Sequence, residues 1–104
     1  NASKVIHWIA AHIEKHTGFL LHHGNSVLFL RKIGDHEADL HFFTLDKGLQ
    51  MARAFRYFEE KTKPLHLKKF YGTTHTQMLD VLKAAGAKVM KSDRPDYNFM
   101  IVRG

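Results

Sequence analysis

Glu37, Asp39 and His41 fall at every second position of one aromatic stretch, Glu37 to Leu45. A strand sends successive side chains to opposite faces, so this spacing sets all three on one face, which Phe43 and Leu45 continue. Two carboxylates and an imidazole together can take a proton from an amine, directly or through water. Imidazole exchanges protons near neutral pH, and a carboxylate does so when burial raises its pKa. The bland alternative is a solvated strand start with a hydrogen-bonded core histidine, and that is the reading we give Asp39.

A second group opens a helix. Lys47, Gly48, Leu49 and Gln50 follow the long strand directly. The first N–H groups of a helix have no partner within it and sit at the positive end of its dipole. A phosphate or pyrophosphate suits that place, helped by Lys47. Asp46 is the expected N-cap and would compete for the same donors. Tyr71, Thr74 and Tyr97 add hydroxyls near the expected mouth between strands.

Other chemistries find less support. Among nine histidines, His12 and His16 lie one helical turn apart and make half a metal site. No carboxylate-rich motif completes it, so no metal is expected. Arg53, Arg56, Tyr57, Lys68, Lys69, Phe70 and Tyr71 mix bases with aromatics, as single-strand nucleic-acid binders do. They read instead as core aromatics with a charged outer face. The chain has no cysteine, which excludes disulfides, thiolate zinc sites and a cysteine nucleophile.

The elements that must carry these groups follow from periodicity and turn residues. Ser3 caps a helix running to about His16, with Ile6, Ile9, Ala10 and Ile13 as its apolar stripe. Strands follow at Phe19 to His22, Val27 to Lys32 and Glu37 to Leu45, with turns at Gly24-Asn25 and Gly34-Asp35. A helix from Lys47 to about Thr62 buries Met51, Ala54, Phe55 and Phe58. Pro64 opens a strand from Leu65 to Tyr71. Thr74 to Gln77 is a capping box for a third helix that buries Met78, Leu82 and Ala85 and stops at Gly86. Strands at Lys88 to Met90 and Tyr97 to Val102 complete the order. It predicts an α+β fold with a mainly antiparallel sheet and one parallel crossover, from Glu37 to Tyr71.

The length of 104 residues and the hydrophobic share of 44 % suit one domain, 1–104, with its own core. No apolar run reaches the roughly 20 residues of a membrane helix. Lack of cysteine fits a reducing compartment, so a cytoplasmic location is expected. The chain opens on Asn1-Ala2, not on methionine, which leaves its native start open. A formal charge of +6 favours anionic partners: nucleic acid, acidic protein or a phosphorylated cofactor.

This order resembles the GNAT superfamily of acetyl-CoA-dependent N-acetyltransferases, without the usual first strand and first helix. The resemblance runs from about Ser3 to Val102. It is strongest in Leu65-His-Leu-Lys-Lys-Phe-Tyr-Gly72 and Met78-Leu-Asp-Val-Leu-Lys-Ala-Ala-Gly-Ala-Lys-Val89, which look like the family's closing strand and helix. The family's glycine-rich run corresponds to Leu45-Asp-Lys-Gly-Leu-Gln-Met-Ala52, with one glycine, and its common catalytic tyrosine to Leu82. The resemblance implies helices on both faces of the sheet, acetyl-CoA as cofactor and an amine as acceptor. Lys47, Gly48, Leu49 and Gln50 would hold the pyrophosphate. The backbone of the Phe42–Leu45 stretch would polarise the thioester carbonyl, with Phe43, Thr44, Leu45 and Thr74 among the cofactor-binding residues. Glu37 or His41 would act as base, and Tyr71 as the acid for the leaving thiolate. The departures define an alternative: an inactive accessory module binding an acidic protein or nucleic acid through its basic surface. The missing first strand leaves an edge at which a partner subunit, in a homodimer, is a further expectation.

Overall fold

A computed structural model describes residues 2–14 and 18–103 of the chain, the side chains of residues 2 and 10–14 excepted. Helix α1 (Ala2–Glu14) leads into strands β1 (Gly18–His23), β2 (Ser26–Gly34) and β3 (Glu37–Thr44). Helix α2 (Gly48–Thr62), a 3-10 turn (Lys63–Leu65) and strand β4 (Lys69–Gly72) follow. Helix α3 (Thr76–Ala84) and strands β5 (Val89–Met90) and β6 (Phe99–Val102) end the chain. The architecture is α+β, and the six strands form one mixed sheet in the order β1-β2-β3-β4-β6-β5.

The first three strands are the antiparallel meander that their short turns demand. Strands β3 and β4 run parallel, joined by α2. Strand β6 returns between β4 and β5 and is antiparallel to both.

Alternation divides the sheet into two faces. Leu28, Leu30, Ala38 and Phe70 turn to one face and pack with Ala54 and Phe58 of α2. Phe42 meets the rings of Phe55 and Phe58 at 4.8 and 6.0 Å between centroids. Burial of each such side chain stabilises by about 1.5–3 kcal/mol. On the opposite face Trp8 of α1 sets its edge against Phe29 and His41, at 5.3 and 4.9 Å. Helices therefore cover both faces. None of those described is long and apolar enough to cross a membrane.

Four local expectations need correction, two of them because a distant partner outcompetes a near one. Asp46 does not cap α2. The end of β3 is drawn back by a bond from Leu45 N to Asn25 O, 3.0 Å, and Asp46 instead accepts from Asn25 N and the buried Ser26 hydroxyl. Pro64 opens the 3-10 turn and not a strand, since a first helical turn needs no N–H there. His66 then takes a left-handed conformation, and Lys68 N and Lys69 N both donate to His36 O, so pairing with β3 begins only at Lys69. Thr74 does not cap α3. His75 does, its Nδ1 accepting from Met78 N at 3.3 Å. Ser3 lies inside α1, and His16 lies outside the described residues.

Gly72, at the end of β4, is required by close approach. A Cβ there would stand 2.6 Å from the Phe99 ring and 3.3 Å from Leu40. Gly72→Ala is expected to destabilise the fold by about 1–3 kcal/mol, read as a lower urea midpoint with an unchanged slope.

Candidate functional site

The parallel pairing of β3 with β4 is short. It comprises Glu37 with Lys69, Ala38 with Phe70, and Asp39 with Tyr71. From Leu40 to Thr44, β3 pairs only with β2, while Gly72 pairs only with Phe99 of β6. The two strands thus part beyond Asp39 and Tyr71. Backbone groups alternate between the two neighbours of a strand, so every second N–H and C=O of Leu40 to Thr44 lacks a strand partner on the β4 side.

Asn98 holds the gap open from the β4 side. Its Nδ2 donates to Thr74 O at 2.6 Å, its Oδ1 accepts from Thr74 N at 3.1 Å, and its own N donates to Gly72 O at 3.1 Å. A cavity of about 600 Å³ lies against the gap, bounded by the sheet, α2 and α3. Thr73, Thr74 and Tyr97 line it at the gap, and Arg56, Glu59 and Arg103 are among its charged lining residues elsewhere. Leu28, Phe58, Phe70 and Leu82 are among its apolar ones.

Helix α2 begins where β3 ends. Its N-cap is Lys47, in an extended conformation with no side-chain cap bond, and its first turn has no acidic residue. Gly48 has φ of +56°, a value that glycine adopts without strain. With Asp46 committed to Asn25 and Ser26, the first-turn N–H groups have no side-chain acceptor among the described residues.

The face toward α1 carries a polar network. Asp39 is 1 % exposed and accepts from Arg31 Nη2 and, at 2.9 Å, from the Tyr97 hydroxyl. His41 Nε2 stands 3.3 Å from Asp39 Oδ1, close in space but not aligned as a hydrogen bond. Burial alone would push the Asp39 pKa up. His41, Arg31 and Tyr97 together outweigh it and hold the carboxyl below its ordinary value. Burial raises the Tyr97 pKa, and its bond to Asp39 adds to the rise.

A second set adjoins the first. Glu37 accepts from Arg94 Nη2, and the Tyr71 hydroxyl donates to Asp93 Oδ1 at 2.7 Å. Lys69 Nζ holds the other Asp93 oxygen at 2.9 Å. Burial and then Asp93 raise the Tyr71 pKa, while Lys69 and Tyr71 lower that of Asp93.

The structure thus sorts the expected site residues. His41, Phe43 and Thr74 line the cavity. Glu37 and Tyr71 lie outside its walls, in the ion-pair network with Arg94 and Asp93. Thr44 is tied to Ser26 and Asp46, and Leu45 is 84 % exposed. Lys47, Gly48, Leu49 and Gln50 are exposed at the helix start, outside the cavity walls. Tyr97, expected near the mouth between strands, lines the cavity and donates to Asp39, a partner the sequence did not suggest. Among the described residues, no group of three histidine or carboxylate side chains gathers as for a metal. The His12 side chain and His16 lie outside that description.

No protein-family model matches the chain, and no curated protein matches it.

Asp39→Asn is expected to cost about 2–4 kcal/mol in urea unfolding. That is below the cost of a fully buried pair, because Arg31 keeps 32 % of its side chain exposed. The folded carboxyl has the lower pKa, so its contribution is complete above the unfolded value of about 3.9 and is lost as pH falls through the folded one. Stability measured from pH 7 to pH 2 should therefore fall at the acid end, and less steeply in Asp39→Asn.

Proposed function

We propose that this chain is a GNAT-like domain that binds acetyl-CoA in the gap between β3 and β4 and transfers the acetyl group to an amine. The observation that carries this reading is the parallel pair, bonded at its base and parted above, with an apolar cavity against the gap. The residues present suit the cofactor. A pantetheine arm has two amides, and the unpartnered backbone groups of Leu40 to Thr44 offer them donors and acceptors. The uncapped N–H groups of Gly48, Leu49 and Gln50, with Lys47, would hold its pyrophosphate.

Bound acetyl-CoA supplies an activated acyl carbon, to which the amine nitrogen bonds as the carbon–sulfur bond breaks. His41 takes the proton from that nitrogen. Asp39 Oδ1, 3.3 Å from Nε2, would stabilise the imidazolium that forms and leave Nδ1 for the proton. Tyr97 stays protonated through neutral pH, stands on the cavity wall, and returns a proton to the departing sulfur. Tyr71 was the acid expected from layout, but its hydroxyl is engaged by Asp93, so Tyr97 is the better placed of the two. Glu37 is engaged by Arg94 and supports the network instead of acting as base.

Calorimetry with coenzyme A and acetyl-CoA tests the binding. Saturable binding, weakened about tenfold or more in Lys47→Ala, is the expected result. No binding at millimolar cofactor, together with strongly salt-dependent binding to nucleic acid, would replace this reading with the accessory module. Turnover with a panel of amines should fall about 100-fold or more in His41→Ala and only mildly in Glu37→Gln.

A further inference from the structure

The cavity extends well past the gap. Helix α3 buries no residue completely, although Met78 and Leu82 face the cavity and Phe70, Phe99 and Ile101 face it from the sheet. Apolar walls held apart in this way forgo dispersion contacts on both sides, and water finds few partners between them. Protein interiors are otherwise close-packed. The space is therefore suited to an apolar occupant.

Its lining is apolar along the middle and polar at both ends. Thr73, Thr74 and Tyr97 mark the end at the gap, and Lys88 and Arg103 bound the far end. Between the Gly72–Phe99 and Lys69–Val102 pairs the sheet runs roughly 10 Å. That suits a molecule with a polar head at the gap and an apolar tail of limited length. We propose that the cavity holds an acyl chain of medium length, about that of an octanoyl group, with the carbonyl end at Thr74 and Tyr97 and the tail against Phe70, Ile101 and Leu82. The chain can arrive as a coenzyme A thioester or as a free carboxylate. In the thioester form the inference rests on the reading of the gap given above and changes its donor from acetyl to a longer acyl group.

Calorimetry on the full chain with coenzyme A, acetyl-CoA, octanoyl-CoA and octanoate separates these cases. Each methylene that enters an apolar site tightens binding by about fourfold. Octanoyl-CoA should therefore bind about 100-fold or more tighter than acetyl-CoA. Ile101→Trp, which fills the apolar part, should erase that advantage and keep acetyl-CoA affinity. Ile101→Phe serves if the larger ring prevents folding, and the chain-length comparison needs neither variant. Equal affinity for the two thioesters overturns the inference and leaves the acetyl reading standing. Binding of octanoate without any coenzyme A species upholds the acyl-chain site and overturns the acetyltransferase reading. If none of the four binds, both fall.

Discussion

The chain leaving β4 is bound to β6 and not to β3, and the site depends on this. Three hydrogen bonds, two donated and one accepted by Asn98, fix Gly72 and Thr74 on that side. The Phe99 ring occupies the space over Gly72. A parallel pair would otherwise zip as far as both strands extend, because unpaired backbone groups are costly away from water. Here β3 runs on to Thr44 with β2 alone for a partner. The gap is thus a product of competition between two neighbours for one strand, and the cavity follows from it.

The opposite face sets the chemistry. Asp39 sits at the last bonded pair before the strands part, opposite Tyr71, and its carboxylate reaches Tyr97 across the gap. Arg31 balances its charge and Trp8 lies over both Arg31 and His41. A charge this deeply placed is tolerated only when its oxygens are occupied by donors or cations. The Tyr97 bond that helps to make burial tolerable also holds that hydroxyl at the gap. Structure and proposed chemistry share one carboxylate.

Much of the fold was legible because it rests on local pattern. Short turns between Gly24 and Asp35 announced the meander, and Ala54 and Phe58 announced the buried side of α2. The period-two spacing of Glu37, Asp39 and His41 correctly put them on one face. What escaped the sequence depends on partners far along the chain. Asp46 looked like a cap because Gly48 follows it, yet its acceptor oxygens go to a turn 20 residues earlier. The run after Pro64 looked extended because it is apolar, yet His36 and His66 shape it into a turn. Tyr97 was expected near the mouth between strands, but its bond to Asp39 depends on the sheet order.

Trp8 is the one tryptophan of the chain, and its indole edge rests on the imidazole of His41. A protonated imidazole in van der Waals contact quenches indole emission, whereas a neutral one quenches less. The emission of this indole is therefore sensitive to the charge on that imidazole. The molecule carries its own spectroscopic label at the point where proton transfer is proposed.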